Sequence, residues 1–304
     1  MAKSNSSQKV CVIGAGFMGF QIALHSAAHG CEVWVVDTAE SMLAKAKQLS
    51  EKELAQRVTN QRISTTEKEQ ILNQLHFTLK LDDSKTADIV IEAIPESLPL
   101  KRDLFAKLDQ IYPSKTIFAT NSSSLMISEI EDAVSPERQK QMVNTHFYPP
   151  VWQRPMVEIM KGSKTTPQIY QQVVEFAQSL GLAPITVQKE STGYVFNRLW
   201  RAIKKESLTI VDEGVASPED IDRAWMIAFG LPMGPFANMD MVGLDVVLDI
   251  ERVYHRKSGL SADAPPQFLI DMVAGNELGQ KTGKGFYTYP NPAYKDPAWL
   301  KNQK

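Results

Sequence analysis

The chain has 304 residues, with 33 basic and 35 acidic side chains, a formal charge of −2, 43% hydrophobic residues and 22% charged ones. This is the composition of an ordinary folded protein and excludes a disordered, fibrous or collagen-like chain. The near balance of charge argues against a surface built for nucleic acid or anionic membrane. The length suggests about two domains. No apolar run approaches the ~20 residues of a membrane span. Residues 1–9 are polar and lack the apolar core of a signal sequence, so a cytoplasmic location is expected.

In chain order, short runs rich in Val and Ile read as strands at 10–13, 32–36, 76–79, 89–93, 116–119, 142–145, 156–159 and 183–187. Their near-continuous apolar character fits strands covered on both faces. Helical patterns lie between them. Residues 43–58 are dense in Ala, Lys, Gln and Glu. Ser64 followed by Glu67 reads as a capping box opening a further helix. Strand–helix alternation implies an α/β fold with a parallel, doubly wound sheet. The texture changes after Lys189: patterns become helical, Ser217-Pro218 reads as a cap and first helical position, and Gly230, Pro232, Gly234 and Pro235 break the helices. The expected organisation is an α/β domain over residues 1–188 and an all-α domain over 189–304. The two cysteines, Cys11 and Cys31, sit in apolar surroundings and read as buried free thiols, with a redox pair as the remote alternative because their strands could be neighbours. No Cys/His cluster has metal-ligand spacing, so no metal is expected.

Gly14-Ala15-Gly16-Phe17-Met18-Gly19 follows a strand and opens a helix, and the next strand ends at Asp37. This is the full context of a dinucleotide fingerprint. Gly14 permits the tight turn, Gly16 lets backbone approach a pyrophosphate, and Gly19 lets helix pack on strand. The helix start, with Phe17 and Met18, offers free amides to phosphate. Asp37 should accept from the adenosine ribose hydroxyls and repel a 2′-phosphate, which favours NAD over NADP.

A second constellation lies further on. Asn121-Ser122-Ser123-Ser124 follows a strand and so sits at a carboxyl edge, where open α/β sheets bind ligands. His146 ends the strand 142–145 at that same edge, and Glu158 lies inside the apolar strand 156–159, where a carboxylate needs a partner. A His–carboxylate pair suits oxidation of an alcohol: neutral imidazole takes the hydroxyl proton as hydride leaves carbon, and the carboxylate stabilises the resulting imidazolium. A satisfied core histidine beside a buried ion-pair member is the competing explanation of the same spacing.

Thr120–Leu125, His146-Phe147-Tyr148-Pro149-Pro150, Val157-Glu158-Ile159, Gly193-Tyr194-Val195-Phe196-Asn197-Arg198, Pro218-Glu219-Asp220-Ile221-Asp222, Pro232-Met233-Gly234-Pro235-Phe236, Gly243-Leu244-Asp245 and Lys281-Thr282-Gly283-Lys284-Gly285-Phe286-Tyr287 resemble, in order, the L-3-hydroxyacyl-CoA dehydrogenase family, 3-hydroxybutyryl-CoA dehydrogenase type. The resemblance implies a Rossmann-like N-terminal domain, an all-α C-terminal substrate and dimerisation domain, a homodimer, NAD as cofactor and a small-molecule substrate. By position it implies His146 as base and Glu158 as its partner. It further implies Ser123 and Asn197 as contacts to the substrate oxygen, and Glu96, Lys101, Asn121, Ser123 and Lys281 as cofactor contacts. The chain departs from the family where the usual Phe-Phe-Asn-Pro after the histidine becomes Phe147-Tyr148-Pro149-Pro150, which removes a side-chain amide. A gapless alignment also puts Glu53 and Asn60 where the family has a serine and a lysine that touch CoA. Arg201, Lys204 and Lys205 follow Asn197 on one helical face where the family is largely apolar. They read either as a solvated face or intersubunit salt bridges, or as an anion site for CoA phosphates or a substrate carboxylate, with Arg201 the substrate-binding candidate. The expected activity is NAD-dependent interconversion of short-chain L-3-hydroxyacyl-CoA and 3-oxoacyl-CoA. The alternatives are a dehydrogenase of a free 3-hydroxy acid, of the gulonate or carnitine type, and a non-catalytic NAD-binding protein.

Overall fold

The computed structural model describes residues 7–301; the start of the polar N-terminal run, residues 1–6, lies outside the described residues. The chain divides into two compact units between Val195 and Phe196.

The first unit is built on one sheet of eight strands: β1 (Lys9–Ile13), β2 (Glu32–Val36), β3 (Leu75–Thr78), β4 (Ile89–Glu92), β5 (Ile117–Thr120), β6 (Met142–Phe147), β7 (Met156–Lys161) and β8 (Ala183–Val187). Their order is β3-β2-β1-β4-β5-β6-β7-β8. The strand order reverses between β1 and β4, which makes their carboxyl edge the switch point where such sheets take ligands. The helices are α1 (Phe17–Ala28), α2 (Glu40–Thr59), α3 (Thr65–Asn73), α4 (Leu98–Ile111), the short α5 (Ile127–Ile130) and α6 (Pro136–Gln139), and α7 (Pro167–Ser179). Ser64 and Glu67 form the expected capping box on α3.

Alternation along the strands feeds two cores. Val10, Val12, Val33, Val35, Ile89 and Ile91 pack with Ile22 and Leu24 of α1 and Val173 and Phe176 of α7. Cys11, Ile13, Val90 and Phe118 pack on the other face with Phe105 and Leu108 of α4. Cys31 belongs to the first of these clusters and Cys11 to the second, and both are buried free thiols, so the redox-pair alternative has no geometry. Burial pushes both thiols up to about 11.

One strand pairing departs from the parallel expectation. β7 runs antiparallel to β6. The connection 148–155 is too short for the crossover helix that a parallel pair requires. The expected boundary near residue 189 also falls inside the first unit. Tyr194 is buried there, donating from its hydroxyl to the Ser122 carbonyl at 2.6 Å, and the Val195 amide donates to Glu158 at 2.9 Å.

The second unit holds α8 (Phe196–Asp212), α9 (Pro218–Phe229), α10 (Pro235–Val242), α11 (Leu244–Ser258), α12 (Gln267–Ala274) and the short α13 (Pro297–Leu300). Ser217 caps α9 and Pro218 takes its first position, as expected. The core gathers Leu208, Met226, Phe236, Met239, Leu244, Val247, Leu248 and Leu269. Buried carboxylates tie its chain reversals together. Asp222 accepts from the amides of Phe236 and Ala237 at 2.8 and 2.9 Å and from the Tyr287 hydroxyl at 2.9 Å. Asp240 accepts from the amides of Phe286 and Tyr287. Burial pushes Asp222 up to about 6 despite these donors.

Candidate active site

The turn after β1 is shaped by its glycines. Gly14 has φ +101°, and a Cβ there would lie 2.6 Å from the Ala93 carbonyl oxygen at the end of β4. A Cβ on Gly19 would lie 1.7 Å from the Gly14 carbonyl oxygen, so no larger residue lets α1 start so close to β1. Gly16 differs from both, because its missing Cβ faces open space with no atom within 4 Å. That opening is where a phosphate can meet backbone. α1 begins beside it with no side-chain cap and no acidic residue in its first turn. The amides of its first turn and its positive dipole end therefore suit an anion. Phe17 is exposed and Met18 half-buried. Asp37 follows β2. Its Oδ2 accepts from the Ala15 amide at 2.8 Å and its Oδ1 from the Ala39 amide at 2.9 Å. Each oxygen keeps a further acceptor site for a ribose hydroxyl. These residues fit a bound dinucleotide.

The neighbouring edge carries a buried charge network. Lys101, 1% exposed, places Nζ 2.6 Å from Glu92 Oε1 and 3.3 Å from Glu96 Oε2. Glu96 also accepts from the Ser124 amide at 2.9 Å and its hydroxyl at 2.7 Å, and from Ser122. Burial alone would raise the Glu96 carboxyl, but the hydrogen bonds from Ser122 and Ser124 and the Lys101 charge hold it below its usual range. Burial pushes Glu92 up, against the pull of Lys101 and Thr120. Asn121 accepts the Phe147 amide at 2.9 Å on Oδ1, which ties the loop after β5 to β6 beside His146. Ser123 is exposed on that loop.

His146 and Glu158 are directly opposite one another in the β6–β7 ladder. Short antiparallel pairing thus accounts for the contact between residues twelve apart in sequence. His146 Nδ1 lies 3.2 Å from Glu158 Oε2. Glu158 is fully buried, and its Oε1 accepts the Val195 amide. With the carboxylate accepting at Nδ1, that nitrogen carries the proton and Nε2 is left with its lone pair. Two tyrosines contact the ring. Tyr194 stacks on it at 4.9 Å between centroids and 21° between planes, and Tyr148 meets it edge-on at 4.5 Å.

The remaining expected residues belong to the second unit. Asn197 is half-buried near the start of α8. Arg201 Nη2 lies 2.9 Å from Asp263 Oδ1, and its guanidinium sits 3.8 Å from the Tyr254 ring centroid. Lys205 pairs with the same Asp263 at 2.5 Å. Lys204 is buried 2.6 Å from Glu251, and desolvation pulls its ammonium below the ordinary lysine range. The partners of all three lie inside the unit, in place of the expected solvated face or intersubunit salt bridges. Lys281 pairs with Asp245 at 2.5 Å. In the first unit Glu53, which looked hostile to CoA phosphates, is paired with Arg57 at 3.0 Å, and Arg57 lies over the Trp152 ring at 4.8 Å.

Residues absent from the sequence-based set are Glu92, Tyr148 and Tyr194. Glu92 had a signal, since it is an acidic residue in an apolar strand, the same argument that picked out Glu158. Tyr148 and Tyr194 had none, because their partners lie across the sheet edge.

Comparison with known proteins places these features in context. The model of the 3-hydroxyacyl-CoA dehydrogenase NAD binding domain matches residues 9–191, and that of the 3-hydroxyacyl-CoA dehydrogenase C-terminal domain matches residues 193–289. The chain is 37% identical over 281 residues to a 3-hydroxybutyryl-CoA dehydrogenase of Clostridioides difficile, covering 92% of this chain and 99% of the relative. A crystal structure of (S)-3-hydroxybutyryl-CoA dehydrogenase from Ralstonia eutropha superposes with TM-score 0.86 at 32% identity, covering 94% of this chain and all of the other. A diketoreductase structure, described as acting on dicarbonyl compounds, superposes with TM-score 0.83 at 36% identity over 94% of this chain and all of the other.

Proposed function

The chain belongs to the 3-hydroxyacyl-CoA dehydrogenase family, and from that premise we propose that it interconverts L-3-hydroxyacyl-CoA and 3-oxoacyl-CoA, with short acyl chains as substrates. The observation that carries the reading is the His146–Glu158 pair near the carboxyl end of β6, in the same sheet whose β1 leads into the glycine loop. NAD, when bound, supplies the hydride acceptor for oxidation. Gly14, Gly16, Gly19 and the first-turn amides of Phe17 and Met18 hold its pyrophosphate. Asp37 would hold the adenosine ribose, and the family resemblance assigns Glu96, Lys101, Asn121 and Ser123, and in the second unit Lys281, to the cofactor. In the oxidation direction His146 Nε2 takes the 3-hydroxyl proton. Glu158 keeps Nδ1 protonated and stabilises the imidazolium, which returns the proton in the reverse direction. The family resemblance gives Ser123, and in the second unit Asn197, the role of contacting the substrate oxygen.

The thioester is favoured over a free hydroxy acid by two ion pairs. Asp263 already neutralises Arg201, the candidate anchor for a carboxylate, and Arg57 neutralises Glu53 on α2. The first unit, up to Val195, acts as the NAD-binding domain and the second, from Phe196, as the helical substrate and dimerisation domain. A homodimer is supported by exposed apolar side chains on the second unit, among them Leu199, Val215, Ile227 and Phe229. A reducing, cytoplasmic setting is supported by the two free thiols. No helix among the described residues is long and apolar enough to cross a membrane. The test is kcat/KM for NADH-dependent reduction of acetoacetyl-CoA and of free acetoacetate. The thioester should be preferred, and a higher value for the free acid would replace the leading reading by the free-acid one.

A further inference from the structure

We propose that Tyr148 is a positioning residue that tunes the His146–Glu158 pair: its phenol donates to the same carboxylate oxygen that faces the imidazole, and so limits how strongly Glu158 holds a proton on His146. The inference rests on the dehydrogenase reading above. Tyr148 Oη lies 2.6 Å from Glu158 Oε2, against 3.2 Å for His146 Nδ1 on that oxygen. The first distance is that of a charge-assisted O–H···O⁻ bond, whereas the second is at the long end for N–H···O. The phenol therefore draws more of the carboxylate charge than the imidazole does. Phenylalanine, the usual residue after His-Phe in this family, has no donor to offer. Tyr148 is two residues beyond His146, so its ring comes back to the same side and meets the imidazole edge-on.

The Val195 amide occupies Oε1, and the Tyr194 hydroxyl is committed to the Ser122 carbonyl while its ring stacks on His146. Glu92 and Glu96 act on Tyr194 at longer range and face Lys101. Burial, and for Tyr148 the hydrogen bond to Glu158, push both phenols upward, so each stays protonated and Tyr148 remains a donor at working pH.

The experiment is the pH profile of kcat/KM for oxidation of L-3-hydroxybutyryl-CoA by NAD in wild type, in Tyr148→Phe, and with 3-fluorotyrosine in place of Tyr148 alone. Without the phenol, Glu158 pairs more fully with the imidazolium, and the acid limb should move to higher pH by about 0.5–1 unit. The fluorinated ring is a stronger donor of nearly the same shape, so its limb should move to lower pH. A purely structural Tyr148 would change the plateau rate or the thermal midpoint and leave the limb in place. An unmoved limb in an active variant overturns the proposal alone, and should Tyr148→Phe fail to fold, the fluorinated protein decides. Absence of wild-type oxidation overturns the dehydrogenase reading, and the proposal with it.

Discussion

Replacing Glu158 by Gln changes one atom and reorganises the whole site. Glu158 is fully buried, and its two oxygens accept from the Val195 amide on one side and from Tyr148 and His146 on the other. The amide of glutamine has one acceptor and one double donor. If its oxygen stays on Val195, its nitrogen faces His146 Nδ1, which must give up its proton to accept. The proton then resides on Nε2, where the substrate hydroxyl needs a lone pair, and the base is lost. If the amide turns over, His146 is correctly oriented, but the Val195 amide faces a second donor at a buried site. That orientation costs about 1–3 kcal/mol for the unsatisfied group. In either orientation the imidazolium loses its charged partner. We expect kcat to fall by about 10²–10⁴, equivalent to about 3–5 kcal/mol in the barrier. The assay is kcat at saturating NAD and L-3-hydroxybutyryl-CoA, with NAD affinity and unfolding measured on the same protein. A variant that binds NAD normally and turns over within tenfold of wild type would refute the account of the pair.

Three further outcomes follow from other parts of the molecule. Asp37→Ser should narrow the preference for NADH over NADPH if, as proposed, the Asp37 carboxylate repels a 2′-phosphate; equal wild-type kcat/KM with both cofactors would refute that role. Lys204→Met should destabilise the protein by about 3–5 kcal/mol, because it leaves Glu251 charged and buried, and the double change with Glu251→Leu should recover most of the loss in urea denaturation. Asp222 carries a pH signature. Its carboxyl is raised to about 6 from 3.8 by burial, so the folded state binds more protons than the unfolded one between those values and wild-type stability falls as pH rises through that window. The stability of wild type relative to Asp222→Asn should therefore drop by roughly 2 kcal/mol between pH 4 and pH 7. A pH-independent difference would show that Asp222 titrates normally.

The sequence made the strands legible because most are short runs of Val, Ile and similar residues, the central ones buried on both faces, and turn residues separate one from the next. The glycine loop was legible for a related reason: close backbone approach at Gly14 and Gly19 excludes every other residue type. The antiparallel β7 was not read, since an isolated apolar run carries no direction; only the length of the connection 148–155 held that information. His146 and Glu158 could be proposed as partners from residue type and spacing, and their opposition across a ladder supplies the distance. The roles around them were hidden. Tyr194 lies beyond the expected boundary at 189 yet stacks on His146, and Tyr148 looked like part of a motif variant rather than a donor to Glu158. The charges after Asn197 show the opposite difficulty. Helical spacing put Arg201, Lys204 and Lys205 on one face, but their partners Asp263 and Glu251 are about fifty or more residues away in sequence, which periodicity cannot reveal.

The central claim is that His146 is the base that moves the substrate proton. The most direct test is the turnover of His146→Ala with L-3-hydroxybutyryl-CoA and NAD, with NAD binding measured in parallel. The account predicts a fall of about 10²–10⁴ in kcat with NAD affinity within about twofold of wild type, the usual worth of a positioned acid–base group. Turnover within tenfold of wild type would contradict it.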